Sequence, residues 1–452
     1  MSARLQFWAK GLYIIFGALT ILCLFPGSLC AQTTYLDVDC TGATPGAFTS
    51  ISAALLNATP GAFILVIGPC NENVSISSQI NLSLGAYYGQ RATLTGNITI
   101  SSSTNIYVYG LNVSNPSGDG IDVSDSRSVY LDTCTSNGNA GYGLQVGIMS
   151  DVTVNNMGSF DRNAFGGINA GSSSFVDLNA GEGPIDISNN SGPGIFASQA
   201  NVFTLGQTTV ENNTFGAGSL SGYGIDLRGG AHVQFGALYG PNVISGNQSG
   251  GAWLQETAEI SFFCIGQPNL IQNNGPVGVS VGLGSQATFY CPASSGSPTV
   301  GAQVTGHTSA GIDIYGKSQV YMFGSNLVQG NGSRTDPRSA GIRIDGNSEA
   351  LLRGGVISGN SGPGLLALVN SSADFTGVNF AGYEQGLIIS CDNSSWMVSD
   401  LVPPNTNPPA GIICRTPNAL PNRQMPTLGQ PPPNWGAAKA AHERYASLAV
   451  KH

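Results

Sequence analysis

Apolar residues along this chain fall on a repeating ruler whose zero mark is a glycine. The anchors are Gly120, Gly143, Gly167, Gly194, Gly224, Gly251, Gly278, Gly311, Gly341, Gly364 and Gly386, at intervals of 22 to 33 residues. One residue past them stand Ile121, Leu144, Ile168, Ile195, Ile225, Ala252, Val279, Ile312, Ile342, Leu365 and Leu387. Three past, the series includes Val123, Val146, Leu227, Leu254, Val281 and Ile314. Eleven past it runs Leu131, Val154, Leu178, Leu205, Phe235, Phe262, Phe289, Met322, Leu352, Phe375 and Met397. The position nine past is apolar in every repeat but the last, where it is Ser395. Chance does not produce this agreement in a chain that is 41% apolar.

Each spacing of two marks one face of a short strand, so every repeat predicts two strands with a turn between them. A third strand follows in several repeats, as in "NVISGN", "NLIQNN" and "NLVQGN". A coil of about three strands that returns to its start buries its inner face only by stacking on the next coil. The pattern therefore predicts an all-β parallel β-helix with coils ~4.8 Å apart. A β-propeller would need repeats of about 40–50 residues.

The corners carry their own signal. Four residues before an anchor stand Asn139, Asn163, Asn190, Asn247, Asn274 and Asn360, while Asn213 and Asn331 are followed by the insertions "TFGAGSL" and "GSRTDP". Asn tolerates the left-handed backbone of a sharp corner, and stacked amides can bond along the axis. His307 holds the same place before Gly311, which favours a turn role over that of a general base.

At the start of the ruled region, "FTSISAALLNATPGAFILVIGPCNENVSI" (Phe48–Ile76) reads as a short capping helix, a Pro-Gly turn and a buried strand. With the coils that follow, it resembles the opening of right-handed parallel β-helix proteins of the pectin lyase-like superfamily. The resemblance spans residues 40–400 and implies a right-handed solenoid of roughly thirteen coils. It implies no single activity, because the superfamily holds lyases, hydrolases, esterases, epimerases, tailspikes and adhesins. The chain lacks an Asp-Asp doublet, a Gly-His-Gly and a DPHE sequence, and "SRTDPRS" does not match the arginine spacing of pectate lyases.

Composition narrows the picture. Charged residues are only 9% of the chain and the net charge is −9, which argues against nucleic acid or anionic membrane as partner. Arg4 and Lys10 around the apolar run Gly11–Leu24 read as a signal peptide over residues 1–31, and no later stretch is long enough to span a membrane. The β-helix domain is assigned to 32–400, a Pro-rich linker to 401–434, and a short helical tail to 435–452. An exported protein is compatible with disulfides. Cys264 and Cys291 both lie thirteen past their anchors on neighbouring coils, which predicts a bridge. Cys40–Cys70 and Cys391–Cys414, each about one coil apart, are the second and third expected pairs, leaving Cys134 free.

Candidate chemistry lies in the outward column two past the anchors: Asp122, Gln145, Asn169, Phe196, Asp226, Trp253, Ser280, Asp313, Arg343, Leu366 and Ile388. Asp313 and Arg343 are adjacent there and are the catalytic candidates. Arg334, Asp336 and Arg338 of the insertion should flank them, and with Trp253 and Asp226 they form the expected substrate-binding set. Arginine grips carboxylates in a fork, which suits an acidic sugar. Asp226 and Asp313, three coils or about 14 Å apart, are too distant for glycoside hydrolysis by paired carboxylates. The plain alternative is a surface ion-pair group that supports a loop. Asp119, Asp122, Asp125 and Asp132 show no spaced calcium loop, so no cofactor is expected. Three functional readings follow: a binder of polysaccharide or another cell-surface partner, a lyase or hydrolase of acidic glycans, and a structural spacer. Oligomeric state is left open.

Overall fold

A computed structural model describes residues 34–87, 89–181, 183–216, 221–291, 301–381, 388–392, 394–399 and 412–413. The chain is a parallel β-solenoid of about 13 turns. Among the described residues three faces wrap one core. The anchor sheet has 14 strands, from Val74–Ser77 to Ile412–Ile413. The second sheet has 15, from Tyr35–Asp39 to Trp396–Ser399. The third face consists of a four-stranded and an eight-stranded sheet, and Ser159 bridges the break by pairing with Thr135 and Asp186. All pairs join strands of successive coils in parallel, as in Ile225↔Ala252↔Val279↔Ile312↔Ile342.

Near the start, helix α1 (Ile51–Leu55) turns Ile51 and Ala54 into the core. So short a helix leaves its N–H groups unpaired. Ser50 accepts from Ala53 N, and the Glu72 carboxylate accepts from Ile51 N at 2.6 Å and Ser52 N at 3.0 Å.

Inward positions follow the ruler along most of the chain. Val281, Ile314, Phe235, Phe262 and Phe289 are fully buried, and the three phenylalanines stack with ring centroids 5.6 and 5.0 Å apart. Two coils depart from it. After Gly194 the buried residues are Val202 and Thr204, paired with Val176 and Leu178, so Phe203 faces outward and Leu205 is not an inward residue of that strand. The turn there has a single left-handed residue, Gln199, against Ser172 and Ser173 one coil earlier. The coil of Gly120 also turns on one such residue, Asp125, but a bulge at Ser128 restores the count. The coil of Gly194 has no such bulge.

In the last coil, Gly386 and Leu387 lie outside the described residues, and Leu365 pairs with Ile389. Ile388 is therefore the anchor equivalent and Ser390 the outward residue of the column. Met397 pairs with Ala373, nine past its own anchor, which removes the Ser395 exception.

The corner asparagines form one hydrogen-bonded ladder. Each side-chain amide donates to the Oδ1 of the next coil: Asn139 to Asn163 (2.7 Å), then Asn190 (3.0 Å), Asn213 (3.0 Å), Asn247 (2.9 Å) and Asn274 (2.8 Å). The left-handed residue is not the ladder Asn but the one before it: Gly138, Arg162, Asn189, Asn212, Gly246, Asn273, Gly306, Gly330 and Gly359. The anchors must be glycine for a related reason. A Cβ on Gly224 would sit 2.7 Å from Asn247 Nδ2, and one on Gly311 2.7 Å from Asn331 Nδ2.

Cys40–Cys70 and Cys264–Cys291 are disulfides, with Cα atoms 5.2 and 4.7 Å apart. Cys134 is free and buried. The pair Cys391–Cys414 cannot be placed because Cys414 lies outside the described residues, as do the leader over 1–31 and the tail over 435–452. Within the stretch read as linker, Ile412–Ile413 pairs with Ile389 and Ser390. Among the described residues no helix is long and apolar enough to cross a membrane.

Candidate functional site

Strand alternation on the anchor sheet turns every second residue outward, and parallel register lines these residues up as the column Asn169–Phe196–Asp226–Trp253–Ser280–Asp313–Arg343–Leu366. The structure brings Asp313 and Arg343 together as a forked pair, with Arg343 Nε 2.7 Å from Asp313 Oδ1 and Nη2 2.6 Å from Oδ2. Both groups are largely buried, and the carboxylate's hydrogen bonds keep the guanidinium firmly charged. Arg343 Nη1 also reaches the Arg338 carbonyl at 3.4 Å.

The insertion closes beside this pair. Asp336 accepts from Arg338 N and from the Ser309 hydroxyl, both at 2.9 Å, and these bonds hold its carboxyl below the usual range. The side chains of Arg334 and Arg338 are exposed. The loop is thus pinned from within by Asp336 and presents its two arginines to solvent.

Three coils back from Asp313 toward the N-terminus, a second forked pair stands in the same column. Arg228 donates to Asp226 through Nε at 3.0 Å and Nη2 at 2.9 Å, and the Ser221 hydroxyl adds a bond at 2.8 Å. The Arg228 guanidinium also lies over Phe196 and Trp253, 5.5 and 5.1 Å from their ring centroids.

Trp253 is not a lone platform. Its ring stacks on Tyr223 at 5.3 Å, and its Nε1 donates to the Tyr315 hydroxyl at 3.0 Å. Glycines make room for these rings: a Cβ on Gly250 would meet Tyr223 at 2.6 Å, and one on Gly282 would meet the Tyr315 ring at 2.3 Å. Burial, helped by Tyr315 and the two aspartates, pushes the Tyr223 hydroxyl up to about 12, so it stays a neutral donor. Tyr223 and Tyr315 were missed from the sequence. Their signal was there, as a Tyr just before an anchor in "SGYGID" and one just past a strand in "DIYGKS".

Other candidates disperse. His307 sits in the ladder between Asn274 and Asn331, its ring nitrogens 3.3 and 3.2 Å from the carbonyls of Asn274 and Ile271. Asp119 accepts from Tyr142 N, Asp125 from the Ser102 hydroxyl, and Asp132 from the Tyr107 hydroxyl on the second sheet. Among the described residues, the group close enough to share a metal is Cys40, Cys70 and Glu72, but its sulfurs are joined and Glu72 is engaged by helix α1.

The ruler also gave no warning of a polar strip on the outer face of the second sheet. There His232 pairs in register with Glu259 and Glu259 with Gln286, beside the outward yet buried Gln234, Ser261 and Thr288. Burial lowers the His232 pKa against the opposing pull of Glu259. The Oε1 of Gln234 has no hydrogen-bond partner among the described residues.

Fold and surface together define a parallel β-helix with a paired arginine–aspartate band. No protein-family model matches the chain, and no curated protein matches its sequence. Among solved structures it is similar to the A-module of the Azotobacter vinelandii mannuronan C-5 epimerase AlgE6, at 16% identity and a TM-score of 0.42, covering 77% of this chain and 93% of that one. It is also similar to pectate lyase Pel9A, at 13% identity and TM-score 0.28 over 81% and 78% of the two chains. The PL6 family alginate lyase AlyGC matches at 12% and 0.24 over 81% and 80%. No residue role transfers to this chain at such identities.

Proposed function

We propose that this is an exported, non-catalytic protein whose anchor sheet binds an acidic polysaccharide. The observation that carries the reading is the closure of Asp313, the catalytic candidate, and of Asp226 in the same column, each by an arginine. A carboxylate that acts as general base or nucleophile must turn an oxygen toward the substrate, whereas a forked guanidinium holds both oxygens facing the arginine. Here both oxygens of Asp313 and both of Asp226 accept from guanidinium groups. The groups left to meet a ligand are the exposed guanidinium groups of Arg334 and Arg338 and the edges of the Tyr223–Trp253–Tyr315 cluster. A carboxylate-bearing sugar chain laid along the column would meet cations at one end and rings at the other. Export rests on the leader-like first 31 residues and on the two disulfides, which persist in oxidising compartments.

The test is titration calorimetry with polyuronate oligosaccharides. The wild type should bind with an affinity that falls as salt rises. Replacing Arg334 and Arg338 together by serine should weaken binding about tenfold without changing thermal stability. If no polyuronate binds, the acidic-polysaccharide reading is wrong, and if unsaturated products accumulate in the cell, the non-catalytic reading is wrong.

A further inference from the structure

A separate groove lies at the N-terminal end of the second sheet. It is open to solvent, has a volume of about 440 Å³, and is lined by Phe63, Ser83, Tyr107, Tyr130, Asn81 and Asn105. Its origin is a break in one outward column, whose register runs Tyr35–Phe63–Ser83–Tyr107–Tyr130 on five successive coils. Aromatic rings occupy every place but the middle one. Tyr35 and Phe63 stack at 5.5 Å on one side of the gap, and Tyr107 and Tyr130 sit 6.4 Å apart on the other. Ser83 leaves an opening one ring deep, about two inter-strand spacings or ~9.6 Å from Phe63 to Tyr107.

One wall is made of amides. Asn81 and Asn105 both adopt left-handed backbone, φ 55° and 56°, so the strands bulge there. Asn105 Nδ2 donates to Asn81 Oδ1 at 2.7 Å. That bond leaves Asn81 Nδ2 as a donor and Asn105 Oδ1 as an acceptor with no protein partner among the described residues. Tyr107 is fixed by donating its hydroxyl to Asp132, which also receives Thr133 Oγ1 at 2.9 Å and Asn156 Nδ2 at 3.2 Å. Among the described residues no charged side chain lines the groove.

We infer that this groove is a second glycan site, specific for a neutral pyranose unit, distinct from the arginine band. Aromatic rings on both sides of a gap suit the C–H face of a sugar, which is attracted to the negative face of an aromatic ring. A donor and an acceptor side by side suit vicinal hydroxyls, and an uncharged lining offers nothing to a carboxylate. The site does not depend on the acidic-glycan reading, since it lies on another sheet at the opposite end of the chain.

The experiment is calorimetry and ¹H NMR of the full chain with cello-, xylo- and malto-hexaose. Two variants accompany the wild type. Ser83→Phe completes the aromatic column and fills the gap at an outward position, and Tyr130→Ala removes one ring. At least one neutral oligosaccharide should bind, Ser83→Phe should abolish that binding, and Tyr130→Ala should weaken it about tenfold. Serine at positions 334 and 338 should leave it unchanged, and Ser83→Phe should leave any polyuronate binding unchanged. The inference is overturned if no neutral sugar binds, if binding survives Ser83→Phe, or if a peptide of residues 401–434 competes for the groove.

Discussion

His307 shows how strictly one position is specified. It occupies a ladder place held by asparagine in the neighbouring coils, with both ring nitrogens facing carbonyl oxygens. Those carbonyls favour the protonated ring, but burial outweighs them and brings the pKa from 6.5 down to about 4. In the unfolded chain the ring takes its proton near 6.5, so between these values the unfolded state binds more protons. Stability is therefore lost as pH falls from about 7 to 4, by about 3 kcal/mol from this group. His307→Asn restores the common ladder residue and should remove that component. Urea melts of both proteins across this pH range should give stabilities that depend differently on pH, and identical pH dependences would show that the ring takes up its proton as readily in the fold as in the unfolded chain. The anchor glycines answer to the same ladder. Gly251→Ala brings a methyl 2.4 Å from the Gly278 carbonyl and 3.0 Å from Asn274 Nδ2, and should cost about 1–3 kcal/mol in the same assay.

At the level of strands and turns, the inner face is held by like residues stacked coil on coil. Phe262 lies between Phe235 and Phe289, so Phe262→Ala removes contacts on both sides and opens a cavity in the core. A loss of about 3–5 kcal/mol is expected in equilibrium unfolding. These inward positions were legible in the sequence because side-chain alternation and anchor glycines recur in every coil. The displacement after Gly194 was not legible. Whether a short turn is compensated depends on a bulge, and Ser128, which supplies one, has the same small polar character as neighbours that do not. The outward columns could be drawn from the ruler, yet their pairings could not. Trp253 bonds Tyr315 across 62 residues because a glycine at position 282 lets the tyrosine lie flat, and no local pattern announces that. The groove at Ser83 escaped notice for the opposite reason. It is defined by a missing ring, and a lone serine in a strand carries no signal.

For the molecule as a whole, the disulfides lie near the start of the solenoid and about two thirds along it. Cys264 and Cys291 bridge adjacent coils 27 residues apart. Replacing both with alanine should cost roughly 2–4 kcal/mol, read as a lower urea midpoint with a steeper slope, because the uncrosslinked denatured chain exposes more surface. The low charge content has a similar reach. With so few ionic groups, Arg334 and Arg338 create a local positive field on a chain of net charge −9. Salt should therefore weaken polyuronate binding far more than it alters unfolding.

The asparagine ladder has a consequence for length. Each amide reads only its two neighbouring coils, the Oδ1 of the next and, as at Asn190 and Asn213, a carbonyl of the one before, so the bonding pattern repeats from coil to coil and sets no preferred number of turns. Asn163 and Asn190 are separated by one full period of 27 residues and make the same bonds to their successors. Excision of residues 164–190 should therefore join Asn163 to the geometry that Asn190 now occupies. The product should fold one turn shorter, with unchanged strand content per residue by circular dichroism. Removing half that length should leave an unfolded chain. A protein built this way can be lengthened or trimmed in whole turns by unequal recombination, and the length of its surface becomes an inheritable dimension separate from the residues displayed on it.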